Sequence, residues 1–202
     1  MSAIQEYRKT QMKTLTNKVG VYVLCDLDGV PIYVGQSKDG IASRARRHLT
    51  SARSDIIANR QIDPWEIAYV LAYPADKKED IGRLEAALYA EFNKKSPLMN
   101  GSIPKAEGEP LTPIPEPSQK VQVLADDEIK VRKDPALRLP RQIEHIGRLV
   151  DHILTVKDSG QLRRSLEAHF GRLDRYREEF LKAGKPVERR AGEEETEEED
   201  EA

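Results

Sequence analysis

The 202-residue chain has 33 basic and 35 acidic side chains, a formal net charge of -2 and a single cysteine. That count excludes a disulfide framework, and no apolar run reaches the ~18 residues of a membrane span. The near-zero net charge hides an asymmetry. Residues 1–103 hold 15 basic and 12 acidic side chains (+3), residues 104–192 hold 18 and 15 (+3), and the last ten hold eight acids and no base.

Residues 1–18 form a polar extension of mixed charge, without the apolar stretch of a secretory signal. Apolar spacing over 4–16 is too sparse to define a helix. Two β-rich segments, Gly20-Val21-Tyr22 to Tyr33-Val34-Gly35, then flank Asp26-Leu27-Asp28-Gly29, and Asp-Gly between such segments predicts a hairpin over 19–35. A two-residue turn at Asp28-Gly29 sets Tyr22 opposite Gly35, and a four-residue loop sets it opposite Tyr33. Both put the two phenols on one face, whereas a three-residue loop separates them. Cys25 lies in the first strand, a packed or half-exposed thiol that fits a reducing compartment.

The polar loop Gln36 to Gly40 leads into a helix predicted over 41–53, with Ile41, Ala45, Leu49 and Ala52 as its buried stripe. Arg44 and His48, four apart, stack along one edge of that stripe, with Arg46 and Arg47 more exposed. Trp65 to Tyr73 reads as a third strand between Pro64 and Pro74, and a second helix spans about 77–95. That helix holds an anomaly: Glu85 falls inside the stripe of Ile81, Leu84, Leu88 and Phe92. A carboxylate aimed at a core is costly unless paired or metal-bound. It is either a buried partner of an arginine or a functional carboxylate at a cleft edge.

Prolines 104, 110, 113, 115 and 117 mark 104–118 as a semi-rigid linker and a domain boundary. Beyond it, Lys120 to Leu124 and Ile129 to Arg132 suggest two short paired strands. Two helices follow over about 141–156 and 161–181. Ile143, Ile146, Val150 and Ile153 form one apolar seam; Leu162, Leu166, Phe170, Leu173 and Phe180 form the other. Such seams suit a helical hairpin or a dimerising pair. Arg163, Arg164, Arg172, Arg175 and Arg177 lie on the polar face, expected to be solvated. Residues 119–185 therefore read as a mostly helical C-terminal region and 186–202 as a disordered acidic tail. The tail serves solubility or competes with a polyanion for the basic surface. There is no internal repeat, glycine-rich phosphate loop or Cys/His zinc spacing.

The order Gly20-Val21-Tyr22, Tyr33-Val34-Gly35, Arg44, His48, Glu85 and Asn100 resembles the GIY-YIG nuclease family over about residues 19–103. The resemblance implies a mixed α/β domain with a small three-stranded antiparallel sheet flanked by helices. It also implies hydrolysis of DNA phosphodiesters with one divalent metal ion, Mg2+ or Mn2+. By position, Glu85 is then the metal ligand, pointing inward against the sheet face that carries both tyrosines, and Arg44 holds the scissile phosphate. Tyr22 and Tyr33 line the site, one of them helping to deprotonate water, with His48 assisting and Asn100 as a brace. Lys38, Arg46 and Arg47 are candidate DNA-phosphate contacts. Gln36 is a departure, standing where excision-repair members carry a lysine.

These residue types suit that chemistry. The transition state needs fixed positive charge, and a guanidinium fork matches two phosphate oxygens. One carboxylate with several waters suffices for Mg2+. A phenol of pKa about 10 needs a partner for its proton. The expected partner is DNA, with no membrane association and a homodimer through the C-terminal helices as an option. The expected location is the cytoplasm of a bacterium or of a phage host. A catalytically inactive DNA-binding or scaffold protein on the same fold is the alternative.

Overall fold

The computed structural model describes residues 3–50, 54–105, 111 and 113–183. The acidic tail lies outside them, as does Ala52 of the predicted stripe. Four antiparallel strands form one sheet in the order β2-β1-β3-β4. They are β1 (Gly20–Cys25), β2 (Pro31–Ser37), β3 (Tyr69–Pro74) and β4 (Gln119–Gln122). The fourth strand extends the expected three. It overlaps the expected 120–124 segment but pairs with β3. Ile129 to Arg132 belongs instead to helix α5 (Asp126–Arg132), whose first turn carries Asp126, Asp127 and Glu128. Acidic side chains at a helix N-terminus favour that state over a strand.

Both faces of β1 are buried. Tyr22 and Leu24 pack with Ala42, Ala45 and Leu49 of α2 (Ile41–Thr50). Val21 and Val23 pack with Ile81, Leu84 and Leu88 of α4 (Ile81–Lys95). A 3-10 turn, Lys78–Asp80, precedes α4. Strand β3 is shorter than predicted, because the chain turns over Pro64 to Glu66, where Glu66 N–H donates to the Asp63 carbonyl. Helix α1 (Ala3–Gln11) is anchored by Arg8, which donates to the carbonyls of Pro64 and Ile67.

The hairpin reaches its register by an unexpected route. Asp26 N–H bonds the Val30 carbonyl and Gly29, at φ 77, closes the turn on Asp26. This is a three-residue loop, the length that separates the phenols. A register shift follows: Cys25 faces Pro31, but Leu24 faces Tyr33 and Tyr22 faces Gly35. Ile32 is the extra residue, and a bulge of one residue flips the side chains beyond it. Its carbonyl, lost to the ladder, accepts from Met99 N–H. Bulge and loop together give the even offset that puts both tyrosines on one face.

Helices α6 (Pro135–Thr155) and α7 (Gly160–Ala183) pack as an antiparallel pair. Their buried faces coincide with the predicted seams only in part: Ile146 and Leu162 are buried, but other seam positions are not. Ile143 is 53% and Phe170 51% exposed, whereas Arg138, Gln142, His145, His169 and Arg172 are buried. Asp26 explains this. Its Oδ1 accepts from Asp28 and Val30 N–H within the loop, and its Oδ2 accepts from Arg172 and Arg175. Arg138 donates to Glu66 and Asp28 and stacks over Tyr176. Arg141 grips Asp63 through two nitrogens, at 2.9 and 3.1 Å. Arg172 is thus buried in an ion pair rather than solvated, while Arg163 and Arg177 are exposed as expected.

Candidate active site

Tyr22, Tyr33, Arg44, Glu85 and Asn100 line one polar cleft of about 680 Å³. The rings of Tyr22 and Tyr33 lie 6.2 Å apart, across Gly35. A Cβ on Gly35 would stand 2.5 Å from the Tyr22 hydroxyl and 2.7 Å from a Tyr33 ring carbon, so only glycine leaves room for the phenols. Asn100 fixes β2 from its outer edge: Oδ1 accepts from Val34 N–H at 3.0 Å and Nδ2 donates to the Val34 carbonyl at 2.6 Å. Beside the Met99 bond to Ile32, this makes residues 99–100 a substitute neighbour for an edge strand.

His48 lies behind Tyr22. Its Nε2 is 2.7 Å from the Tyr22 hydroxyl and its Nδ1 is 2.6 Å from Ser54 Oγ. Burial, reinforced by Arg44, lowers His48 to about 4, so it is neutral at pH 7. Burial and nearby Tyr33 raise Tyr22 well above the ordinary phenol value, and Arg44 opposes them. Burial and Glu85 likewise raise Tyr33. Without substrate, the proton therefore rests on the phenol. Arg44 makes no ion pair among the described residues, and its buried Nε has no hydrogen-bond partner.

Glu85 reaches the cleft by a different path from the one expected. The sequence places it against the sheet face bearing both tyrosines, but α4 covers the opposite face. Glu85 projects at the edge of β2, where Gln36 Nε2 donates to its Oε2 at 2.9 Å. Burial pushes Glu85 up to about 7, opposed only by hydrogen bonds from Gln36. No fixed cation among the described residues neutralises it. That is the donor set of a lone carboxylate: no group of three or more His, Cys, Asp or Glu gathers among the described residues. It suits a hard, water-rich cation such as Mg2+ rather than a caged transition metal.

Lys38 also lines the cleft, whereas Arg46 and Arg47 are exposed on α2 and do not. Sequence reasoning missed Gln61, Lys78, Lys105 and Gln161 on the cleft wall, and Ser54 behind it. Gln161, from the start of α7, donates to Ser102 Oγ, so the C-terminal region forms part of the rim.

A central antiparallel sheet flanked by helices, with two tyrosines, an arginine without an ion-pair partner among the described residues and an unneutralised carboxylate around one cleft, defines a mixed α/β domain with a polar candidate site. Residues 18–97 match the family model of the GIY-YIG catalytic domain, so this segment is a GIY-YIG domain, of a nuclease family. Strand β4 and helices α5 to α7 lie beyond the match. No curated protein and no solved structure matches the chain. No helix of the described residues is long and apolar enough to cross a membrane.

Proposed function

We propose that the protein is a divalent-metal-dependent DNA endonuclease that hydrolyses phosphodiester bonds in the cleft beside the hairpin. The observation that carries this reading is the uncompensated charge of Arg44 and Glu85 facing two tyrosines across one opening. Glu85 would hold Mg2+ or Mn2+, which when bound supplies Lewis-acid polarisation of the phosphoryl group. Arg44 holds the scissile phosphate through its fork. The negative charge of that phosphate offsets the effect of Arg44 on His48, raising its affinity for the Tyr22 proton. Tyr33 lines the opposite wall and Asn100 braces β2. Lys38 contacts a flanking phosphate, and Arg46 and Arg47 contact the backbone further out.

In this reading, residues 19–103 are the catalytic unit, 104–118 the linker and 119–185 the region that sets target choice or dimerisation. A homodimer through α6 and α7 is supported by their exposed apolar side chains, Ile143, Leu154 and Phe170. The cytoplasm, which holds DNA and keeps Cys25 reduced, is the proposed location. The test is incubation of plasmid DNA with the full chain in Mg2+ or Mn2+. Nicking or linearisation that stops in EDTA is expected; cleavage that persists in EDTA contradicts the metal role.

A further inference from the structure

Ser54 has an unusual environment for its position. It occupies the N-cap of α3 (Asp55–Ala58), where a serine ordinarily turns its hydroxyl onto the backbone N–H groups of the first turn. Here the hydroxyl makes no capping bond; the Ser54 carbonyl alone accepts from Ile57 and Ala58 N–H. Oγ is diverted to His48 Nδ1 at 2.6 Å instead. Ser54 is 0% and His48 2% exposed, so bulk water does not compete for either ring nitrogen. The imidazole is also held between the two phenol rings, at 5.7 Å from Tyr22 and 5.9 Å edge-on from Tyr33.

We propose that Ser54 is a positioning residue for the cleavage reaction: it accepts a hydrogen bond from His48 Nδ1–H and thereby leaves Nε2 as the acceptor of the Tyr22 proton. The inference rests on the nuclease reading above. A neutral imidazole carries one proton, and its site is set by the partner of the other nitrogen. With that proton on Nδ1, Nε2 presents a lone pair to the phenol at 2.7 Å. The neighbouring Arg44 guanidinium can only donate, so it favours turning the phenol proton toward Nε2. In the step itself, the Tyr22 O–H bond breaks and an N–H bond forms at Nε2. The resulting imidazolium keeps its Nδ1–H on Ser54 Oγ, and Ser54 neither gains nor loses a proton. The phenolate then takes a proton from the attacking water as the new P–O bond forms and the scissile P–O bond breaks, and the leaving oxygen takes its proton from solvent water in the open cleft. The tautomer with the proton on Nε2 cannot perform the first of these transfers.

The experiment combines histidine nitrogen NMR of the metal-free full chain with steady-state cleavage. For the wild type, His48 is expected to show a protonated Nδ1 and an unprotonated Nε2. Ser54→Ala should lose that preference and lower kcat about 10–100-fold, the usual cost of losing such an orienting partner, with KM for DNA and the melting temperature little changed. Ser54→Thr, which keeps the hydroxyl, should restore both the tautomer and kcat. A wild-type His48 protonated on Nε2 overturns the proposal, and does so even if Ser54→Ala fails to fold. A Ser54→Ala protein with wild-type tautomer and kcat overturns it as well. A tautomer that depends on Ser54 in a protein that cleaves no DNA supports the positioning and counts against the nuclease reading alone.

Discussion

The two ends of one hairpin treat charge in opposite ways. At the turn, Asp26 is wholly buried, yet each of its oxygens is engaged, by loop N–H groups on one side and by Arg172 and Arg175 on the other. Near the open end, Glu85 and Arg44 face the same cleft without an ion-pair partner among the described residues. Neutralised buried charge serves the structure, because removing one partner strands the other. Charge held near a cleft and left unneutralised costs stability and is available to a ligand. The contrast also separates two groups of arginines: Arg138, Arg172 and Arg175 clasp the turn, and Arg44 has no ion-pair partner among the described residues.

The contrast can be broken or sharpened by substitution. The largest effect is expected from Arg44→Ala, which should lower cleavage about 10³-fold or more while leaving unfolding by urea within about 1 kcal/mol of wild type. Arg138→Ala should do the reverse. It strands buried Glu66 with only the neutral partners Gln142 and Tyr176, while Asp28 keeps Lys133, and the cost expected for a broken buried pair is about 3–5 kcal/mol by chemical denaturation. Burial works against the Arg138 charge, but Glu66 and Asp28 overcome it and hold its pKa above the usual guanidinium value. Gly35→Ala lies between the two, crowding both phenols: about 1–3 kcal/mol of overpacking and roughly a 10²-fold loss of cleavage from misplaced rings.

Acid provides a gentler perturbation of both regions. His48 is lowered to about 4 and, at the clasp, His169 to about 3, by burial first and its neighbour His145 second. His145 and His169 each donate Nε2–H to a backbone carbonyl, of Arg60 and Gln61 respectively. A depressed histidine pKa means that the unfolded chain binds more protons. The stability from these neutral rings is therefore complete above about pH 6.5 and lost as pH falls toward 3–4. The slope should be at most about 1.4 kcal/mol per pH unit per histidine. Denaturation midpoints at pH 7, 5.5 and 4.5 measure it, and His169→Gln should flatten the decline. The smallest effect is expected from Arg47→Ala, exposed on α2, which should weaken DNA binding a few-fold and reduce its salt slope by about one.

The site was more legible in the sequence than the fold around it. Tyr22, Tyr33, Arg44, His48, Glu85 and Asn100 stand in the family order, and Glu85 announced itself as a carboxylate in an apolar stripe. Its route to the cleft was misjudged because a helical stripe does not say which sheet face it covers. The hairpin register depended on Ile32, a bulge with no glycine or other local sign. Ser54 was one serine among many, since its approach to His48 is a tertiary contact that no periodicity in the sequence marks. In α6 and α7, apolar periodicity found Ile146 and Leu162 but missed the buried arginines and histidines beside them. Long-range ion pairs with Asp26, Asp28, Asp63 and Glu66 decide their orientation, and such partners lie more than 70 residues away in sequence.

The most direct measurement places both readouts on one side chain: cleavage of plasmid in Mg2+ and unfolding free energy for Glu85→Ala against the wild type at pH 8. With its pKa raised by burial, ionised Glu85 is a burden to the folded state above about pH 7. The account predicts that cleavage is abolished, DNA binding is kept and stability is unchanged or higher. Wild-type turnover, or a loss of stability comparable to that of Arg138→Ala, would contradict it.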